Sequence, residues 1–409
     1  MNPITVTNER RSKICFWLCM LCTFCSDVHL IVGMGVYEKI FYITSPIQTA
    51  AALAFLFFAL PRPRNAAAKR YLCFGIMLAC WTVISKHYHS LFGEPREYVG
   101  VLLERFLVML PYAALMGDEK ECRGLKGAGA LTLAVCVYLC VWSVRLFFGW
   151  VPEAMQEVHW SGARMNVQWN PIIFAVILFM GIILCVAACF LVKKKWQRGA
   201  LLAFALLQFL FISMTHSRTV MLMLCAFVVG VFFLVLGQGS VSRRIAWTAA
   251  GLVLAAGLFW ISETVYNANN QRLIAHMEAS GEEFMLNDQG HITDGVTNQH
   301  SFKEDAGSLN GRTETWQIVI DKVMNSRELR LFGTSRFRDS IRKDMAHAHN
   351  SWLQMLADLG IPGLVLSLLL TGEILAALAR VFLFCRDKGK LVMALWVLCM
   401  LPIGVMEPF

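Results

Sequence analysis

The stretch PIIFAVILFMGIILCVAACFLVKKK, residues 171–195, decides the fold class. From Pro171 to Val192 it carries no charged side chain, and three lysines then close it. An α-helix needs about 20 apolar residues to cross a hydrocarbon core, because each residue advances it by about 1.5 Å. Stretches of this kind recur from Ile14 to the C-terminus, separated by short charged punctuation. The whole chain of 409 residues is 57% hydrophobic and 16% charged, whereas a soluble globular domain has about a quarter of its residues charged. A water-soluble domain is excluded on those grounds. The pattern predicts an all-α polytopic membrane protein with about eleven transmembrane helices.

The stretches place those helices near 14–35, 44–60, 71–86, 99–116, 127–150, 171–192, 199–214, 218–236, 245–261, 361–385 and 391–407. Three regions follow: residues 1–261 with helices one to nine, residues 262–358 as one large loop, and residues 359–409 with the last two helices. The first stretch follows Arg10, Arg11 and Lys13 as a signal peptide would, but it carries Asp27 and lacks a small-residue cleavage site, so it is read as a retained helix.

Orientation comes from the basic residues of alternate short loops, since cytoplasmic loops hold the excess. One set carries 19 lysines and arginines, among them Arg62, Arg64, Lys69, Arg70, Lys193, Lys194, Lys195, Arg243 and Arg244. The other set carries 5: Lys39, Lys86, Arg96, Arg164 and Arg218. The N-terminus is therefore expected in the cytoplasm and residues 262–358 on the outer face of the cell membrane. The net charge of +9 calls for no nucleic-acid partner, because it resides in inner loops that face anionic lipid. With eleven helices the chain would end outside, at Glu407-Pro408-Phe409; a fragment or a twelfth, returning helix is the expectation that follows.

Of the 14 cysteines, 13 fall within expected spans and Cys122 in a cytoplasmic loop. Cys15, Cys19, Cys22 and Cys25 share a face of the first helix and read as packing thiols, because no histidine or carboxylate pattern completes a ligand set. No metal and no cofactor are expected.

The loop of 262–358 has two parts. To about Leu309 it is rich in Asn, Gly, Glu and Asp and reads as irregular. From Asn310 onward Trp316, Val319, Ile320 and Val323 mark one face of an amphipathic helix that lies on the membrane surface or packs over the bundle. A second helix is expected from Ser351, where Ser351-Trp-Leu-Gln354 fits a capping box and Leu353, Leu356 and Leu359 form the apolar side.

Immediately before that cap stands His347-Ala-His349-Asn350. A helix N-terminus disfavours a nearby cation, so it keeps an adjacent imidazole neutral and able to accept a proton. Two solvated loop histidines would satisfy the tripeptide equally well. Arg312 opens the first loop helix in spite of the helix dipole, Arg218 follows His216-Ser217 at an outer helix end, Arg105 lies beside Glu104 within the fourth span, and Arg145 is near the outer end of the fifth. Singly, each could be a solvated, snorkelling or internally paired arginine. Together they place four cations on the side that topology depletes, and a multivalent anion such as a lipid-borne diphosphate explains them economically, with the two-point donors arginine supplies.

The run His347-Ala-His349-Asn350-Ser-Trp-Leu-Gln-Met-Leu-Ala-Asp-Leu-Gly360-Ile-Pro-Gly363 resembles the signature of the O-antigen ligase and polymerase superfamily, as do Ser217-Arg218-Thr219 and Gly311-Arg312 with Trp316. Asp358 stands where that family often has Glu. The resemblance implies a fold similar to the metal-independent GT-C-type membrane glycosyltransferases and a glycan donor carried on undecaprenyl diphosphate. It implies transfer of that glycan, with inversion, to an acceptor hydroxyl borne by a lipid or polymer, as in envelope polysaccharide and lipopolysaccharide biosynthesis. By the same likeness His349 is the base or acceptor-orienting residue, with His347 and Asn350 beside it, and Arg218 and Arg312, with Arg105 and Arg145, face the diphosphate. A polymerase of the superfamily, whose acceptor is another lipid-linked repeat, and a member that glycosylates protein hydroxyls remain open. From another class, a polysaccharide flippase remains too, although no inverted repeat or pair of broken helices is visible.

Single cysteines at Ser280 and at Asn65, in a background without native thiols, test the orientation. An impermeant thiol reagent on intact cells should label position 280 and spare position 65; the reverse pattern would overturn it.

Overall fold

The computed structural model describes residues 13–14, 16–25, 66–91, 122–149, 165, 171–237, 240–281, 285–286, 292–293, 312–334, 337–341, 348 and 350–406, with single positions at 28, 44, 47, 50, 51 and 54. The expected spans 44–60 and 99–116 lie outside these residues, the first but for its single positions. The described elements are helical except for one two-residue antiparallel ladder, Met285–Leu286 with Ile292–Thr293. In chain order the helices are α1 (Phe16–Cys25), α2 (Ala66–Leu91), α3 (Cys122–Gly149), α4 (Pro171–Cys189), α5 (Lys195–Met214) and α6 (Arg218–Gly230). They continue with α7 (Val241–Ser280), α8 (Arg312–Asn325), α9 (Arg327–Phe332), α10 (Phe337–Ser340), α11 (Ser351–Phe384) and α12 (Lys388–Met406).

Among the described residues 6 helical stretches are long and apolar enough to cross a membrane: Lys126–Arg145, Pro171–Cys189, Lys195–Met214, Arg218–Leu236, Val241–Ala279 and Ser351–Phe384. Each covers one of the expected spans, as a multi-pass membrane protein requires. Helices α2 and α12 stand where two further spans are expected. The chain divides into two compact units, the first Met1–Thr132, Ser308–Ala379 and Gly404–Phe409, the second Leu133–Gly307 and Arg380–Ile403.

In the second unit α4 is apolar all round and sunk among its neighbours, with Phe174, Leu178, Phe179, Ile182 and Cys185 buried. Gly181 makes room for the Gln208 side chain of α5, since a Cβ there would stand 1.9 Å from Gln208 Oε1. Small residues at such crossings are how membrane helices gain packing that a lipid-facing leucine cannot give. Helix α6 runs on through a π-helical turn, Val231–Leu236.

Helix α7 corrects the sequence reading. It was expected to span 245–261 and to give way to irregular chain, but it continues to Ser280 and ends on Gly281 at φ 71°. Its 40 residues reach about 60 Å at 1.5 Å per residue, roughly twice the hydrocarbon thickness. The physical reason lies in spacing rather than composition. Ser262, Tyr266, Asn269, Asn270, Leu273 and Met277 are buried at helical intervals, so the polar extension has a packed face of its own.

The first unit holds the loop helices. The buried face of α8 is Thr315, Val319 and Val323, and Ile320 is exposed, which corrects the stripe expected from apolar residues alone. Val319 and Val323 pack with Phe337, Ile341, Ala348, Leu356 and Ala357 in one apolar cluster. Lys322 Nζ donates to the carbonyls of Ser340 (3.1 Å) and Ile341 (2.7 Å), closing the end of α10.

Within α11 the chain breaks at Gly360, at φ 69° and ψ −167°, a conformation that is essentially glycine-only. Pro362 follows and has no N–H to donate. The segment 351–359 is thus a separate helix from the apolar one beyond, as the sequence anticipated. The break strands carbonyls that a continuous helix would have used. Thr334 N takes that of Ala357 at 2.7 Å, and Trp81 Nε1 takes that of Leu359 at 2.9 Å. Helix α9 meets this junction backbone to backbone: a Cβ on Gly360 would lie 2.6 Å from Arg330 O, and one on Gly333, itself at φ 69°, 2.3 Å from the Asp358 carbonyl carbon.

Helix α2 supplies the wall against which both press. Tyr88 stacks on Phe332 at 4.0 Å between centroids and Trp81 at 5.8 Å, while Ser85 Oγ donates to Phe332 O. Eleven residues earlier than Trp81, Arg70 donates from Nε and Nη2 to the two oxygens of Glu373. Because Arg70 meets Glu373 while Trp81 meets Leu359, α2 and the membrane part of α11 run antiparallel. Leu78 fills the space between with Leu359, Leu366 and Leu370.

Gly360→Ala should destabilise the protein by about 1–3 kcal/mol from backbone conformation alone, with the contact to Arg330 O added. Gly372→Ala, in the same helix with nothing within 4 Å of the new Cβ, should be neutral or slightly stabilising. Thermal unfolding in detergent followed by tryptophan fluorescence reads both; equal midpoints for the two variants would contradict the break.

Candidate functional site

The candidate site residues divide between the two units, and each group is built by its own elements. In the first unit the centre is Ala348, the residue between His347 and His349. It is fully buried and joins the apolar cluster under α8. Its N–H donates to Gln354 Oε1 at 2.8 Å, and its carbonyl accepts from Trp316 Nε1 at 2.9 Å. Trp316 stands one turn after Arg312 on α8, so the helix that Arg312 opens is tied directly to the peptide flanked by the two histidines. His347 and His349 themselves lie outside the described residues, as does Arg105. Arg312 is described as the first residue of α8.

Asn350 is 7% exposed, and its Oδ1 accepts from the N–H groups of Trp352 and Leu353, each at 3.0 Å. It is the N-cap of α11, and the expected box on Ser351 is corrected accordingly. The reason is geometric: Gln354 Oε1 is already used by Ala348, and Gln354 Nε2 donates to Asp358 Oδ1 at 3.0 Å. Gln354 therefore leaves the box to serve the loop. Sequence reasoning did not find that role. The signal was present in the four-residue spacing from Gln354 to Asp358, which places both on one helix face.

In the second unit Arg218 opens α6 and is exposed. The turn before it is held tightly. Thr215 is fully buried, donates its hydroxyl to Ile212 O at 2.6 Å and accepts from Ser217 N at 3.3 Å. His216 adopts φ 50°, an uncommon backbone for a residue with a Cβ. Ser217 takes the N-cap place with an extended backbone and no side-chain cap bond, so the first-turn amides of α6 are not closed by their own cap. Such a helix start attracts anions, and Arg218 adds a permanent cation to it.

The extension of α7 packs beneath this turn. The His216 ring lies 4.3 Å from that of Tyr266, His216 Nε2 is 3.7 Å from Glu263 Oε1, and Ser262 Oγ donates to Leu210 O at 3.0 Å. These neighbours escape the sequence because the composition of residues 262–280 reads as irregular chain. Arg145, the remaining candidate, is exposed on α3 with its guanidinium 5.2 Å from the Trp142 ring centroid, a cation–π contact. Among the described residues no three His, Cys, Asp or Glu side chains stand together as a metal-ligand set would.

Residues 201–368 match the family model described as O-Antigen ligase. The matched stretch begins within α5, takes in the Arg218 turn, α7 and the loop helices, and ends inside α11, so it contains most of the candidate residues. It supports the superfamily that the motifs resemble. A comparison with curated proteins finds no match.

Proposed function

We propose that this chain is a metal-independent glycosyltransferase of the O-antigen ligase type. It moves a glycan from undecaprenyl diphosphate to an acceptor hydroxyl at the outer face of the cytoplasmic membrane. The observation that carries this reading is the pinned Ala348 between two histidines, at a capped helix start, within the stretch matching the O-antigen ligase model. About eleven spans in a GT-C-like fold carry one outer loop, residues 262–358, whose first part continues α7 to Ser280.

Diphosphate leaves readily once its charge is balanced, so the protein has two tasks: to hold the donor and to align and deprotonate a hydroxyl. Arg218 and Arg312 hold the diphosphate by two-point contacts, with Arg105 and Arg145 adding to the cationic field. His349 accepts the acceptor's proton as its oxygen attacks the anomeric carbon from the face opposite the diphosphate. The bond from that carbon to the phosphate oxygen breaks with its electron pair on the diphosphate, and the configuration inverts. His347 lies two residues further from the cap, and Asn350 fixes the helix start that keeps the imidazole neutral. A polymerase of the same superfamily would differ in its acceptor alone.

A charge clamp and a proton acceptor should fail differently. Arg218→Ala or Arg312→Ala should weaken binding of the lipid-linked donor by about tenfold to a hundredfold, with partial rescue by Lys. His349→Ala should leave donor binding nearly intact and lower transfer by about 100-fold or more, while His347→Ala gives a milder loss. Transfer from purified donor in vesicles, with chelator present and binding scored separately, reads all four. Wild-type transfer by His349→Ala, or loss of activity on chelation, would sink the mechanism.

A further inference from the structure

Ala348 has no side chain that could hold it in place. Its position in the buried cluster is set by two hydrogen bonds from two different helices, Gln354 of α11 to its N–H and Trp316 of α8 to its carbonyl. Peptide planarity carries that constraint to both neighbours, because the groups so fixed belong to the planes shared with His347 and His349.

An amide side chain can face a partner with either end, so Gln354 alone would not specify this arrangement. Asp358 removes the ambiguity. A carboxylate only accepts, so the amide nitrogen of Gln354 must face Asp358, 3.0 Å away, and the oxygen is left for Ala348 N–H. Asp358 is in turn seated at the helix break, where the closest approach of Gly333 is to its own backbone.

We infer that Gln354, oriented by Asp358, is a positioning residue for transfer, together with Trp316: the three fix the peptide from which His347 and His349 depart. The inference rests on the reading that His349 serves the acceptor. It predicts a loss in the catalytic step, kcat, and not in donor affinity, since none of the three is asked to touch the donor.

The experiment exchanges the polarity of the relay in the full-length protein. Gln354→Met, close in shape but unable to accept, should lower kcat for glycan transfer by about 100-fold, the scale of a misplaced reacting group, with donor binding unchanged. Gln354→Glu should be as poor, because two carboxylates then face each other with no donor between them. Asp358→Asn lets either end of the Gln354 amide face it and should fall between. In the double variant Gln354→Glu with Asp358→Asn, the introduced amide donates to the introduced carboxylate, whose other oxygen takes Ala348 N–H; kcat should recover about tenfold or more over Gln354→Glu. Trp316→Phe, keeping an aromatic ring and losing the N–H, should lower kcat in the same direction.

A purely structural role would change the unfolding midpoint and the folded fraction and leave kcat per folded molecule and the polarity rescue unmoved. Wild-type kcat in Gln354→Met, or no recovery in the double variant, overturns the inference. Should Gln354→Met fail to fold, the comparison of Gln354→Glu with the double variant decides it. An inactive His349→Ala beside a fully active Gln354→Met would remove only the positioning role. An active His349→Ala would remove the reading beneath it.

Discussion

A helix that stops at Gly360 must hand its last carbonyls to something, and in a chain rich in apolar residues water is a poor candidate. The donors found are Thr334 N and Trp81 Nε1, at 2.7 and 2.9 Å. One comes from the loop after α9, the other from the neighbouring helix α2. Because an unsatisfied buried carbonyl costs about 1–3 kcal/mol, these bonds fix where the loop helices sit. Two glycines in a backbone region closed to other residues, Gly333 and Gly360, allow the approach. The helix 351–359 is then held at its far end by this junction and at its near end by the Asn350 cap. Between those ends Gln354 reaches back to Ala348.

The consequence for chemistry is a short, pinned platform. A loop of polar residues near a membrane would ordinarily be the most pliant part of such a molecule. Here the residue between the two histidines is fully buried, with its N–H and its carbonyl each bound to a side chain from a different helix. In the other unit the Arg218 turn is built with comparable economy, by the buried Thr215 hydroxyl and by a strained His216 against Tyr266. Both are suited to holding charge or a proton acceptor at fixed geometry, which is what group transfer from a diphosphate needs.

Much of this was legible in the sequence. Apolar length alone located the spans now seen at α3 to α7 and α11, and the apolar stretch from 361 set the span apart from the loop helix begun at Ser351. What escaped has physical reasons. The polar continuation of α7 was hidden by its Asn-rich composition, although Ser262, Tyr266, Asn269 and Leu273 keep helical spacing. On α8 the buried face takes in Thr315 and leaves Ile320 exposed, so apolar residue type alone misplaces the stripe. The cap moved from Ser351 to Asn350 because Gln354 had a partner, Ala348, outside the helix, and no local rule names such a partner. The roles of Trp81 and Thr334 depend on contacts across hundreds and tens of residues, which a single sequence does not reveal.

On the proposed reading the chain breaks and makes a glycosidic bond rather than carrying a glycan across the membrane. Wild-type protein in sealed vesicles, given a polyprenyl-diphosphate glycan and an acceptor on the same face with chelator present, separates the two most directly. A transferase should release one polyprenyl diphosphate for each glycan joined to the acceptor, with the anomeric configuration inverted. Donor appearing intact on the opposite face, with no release of polyprenyl diphosphate, would contradict it.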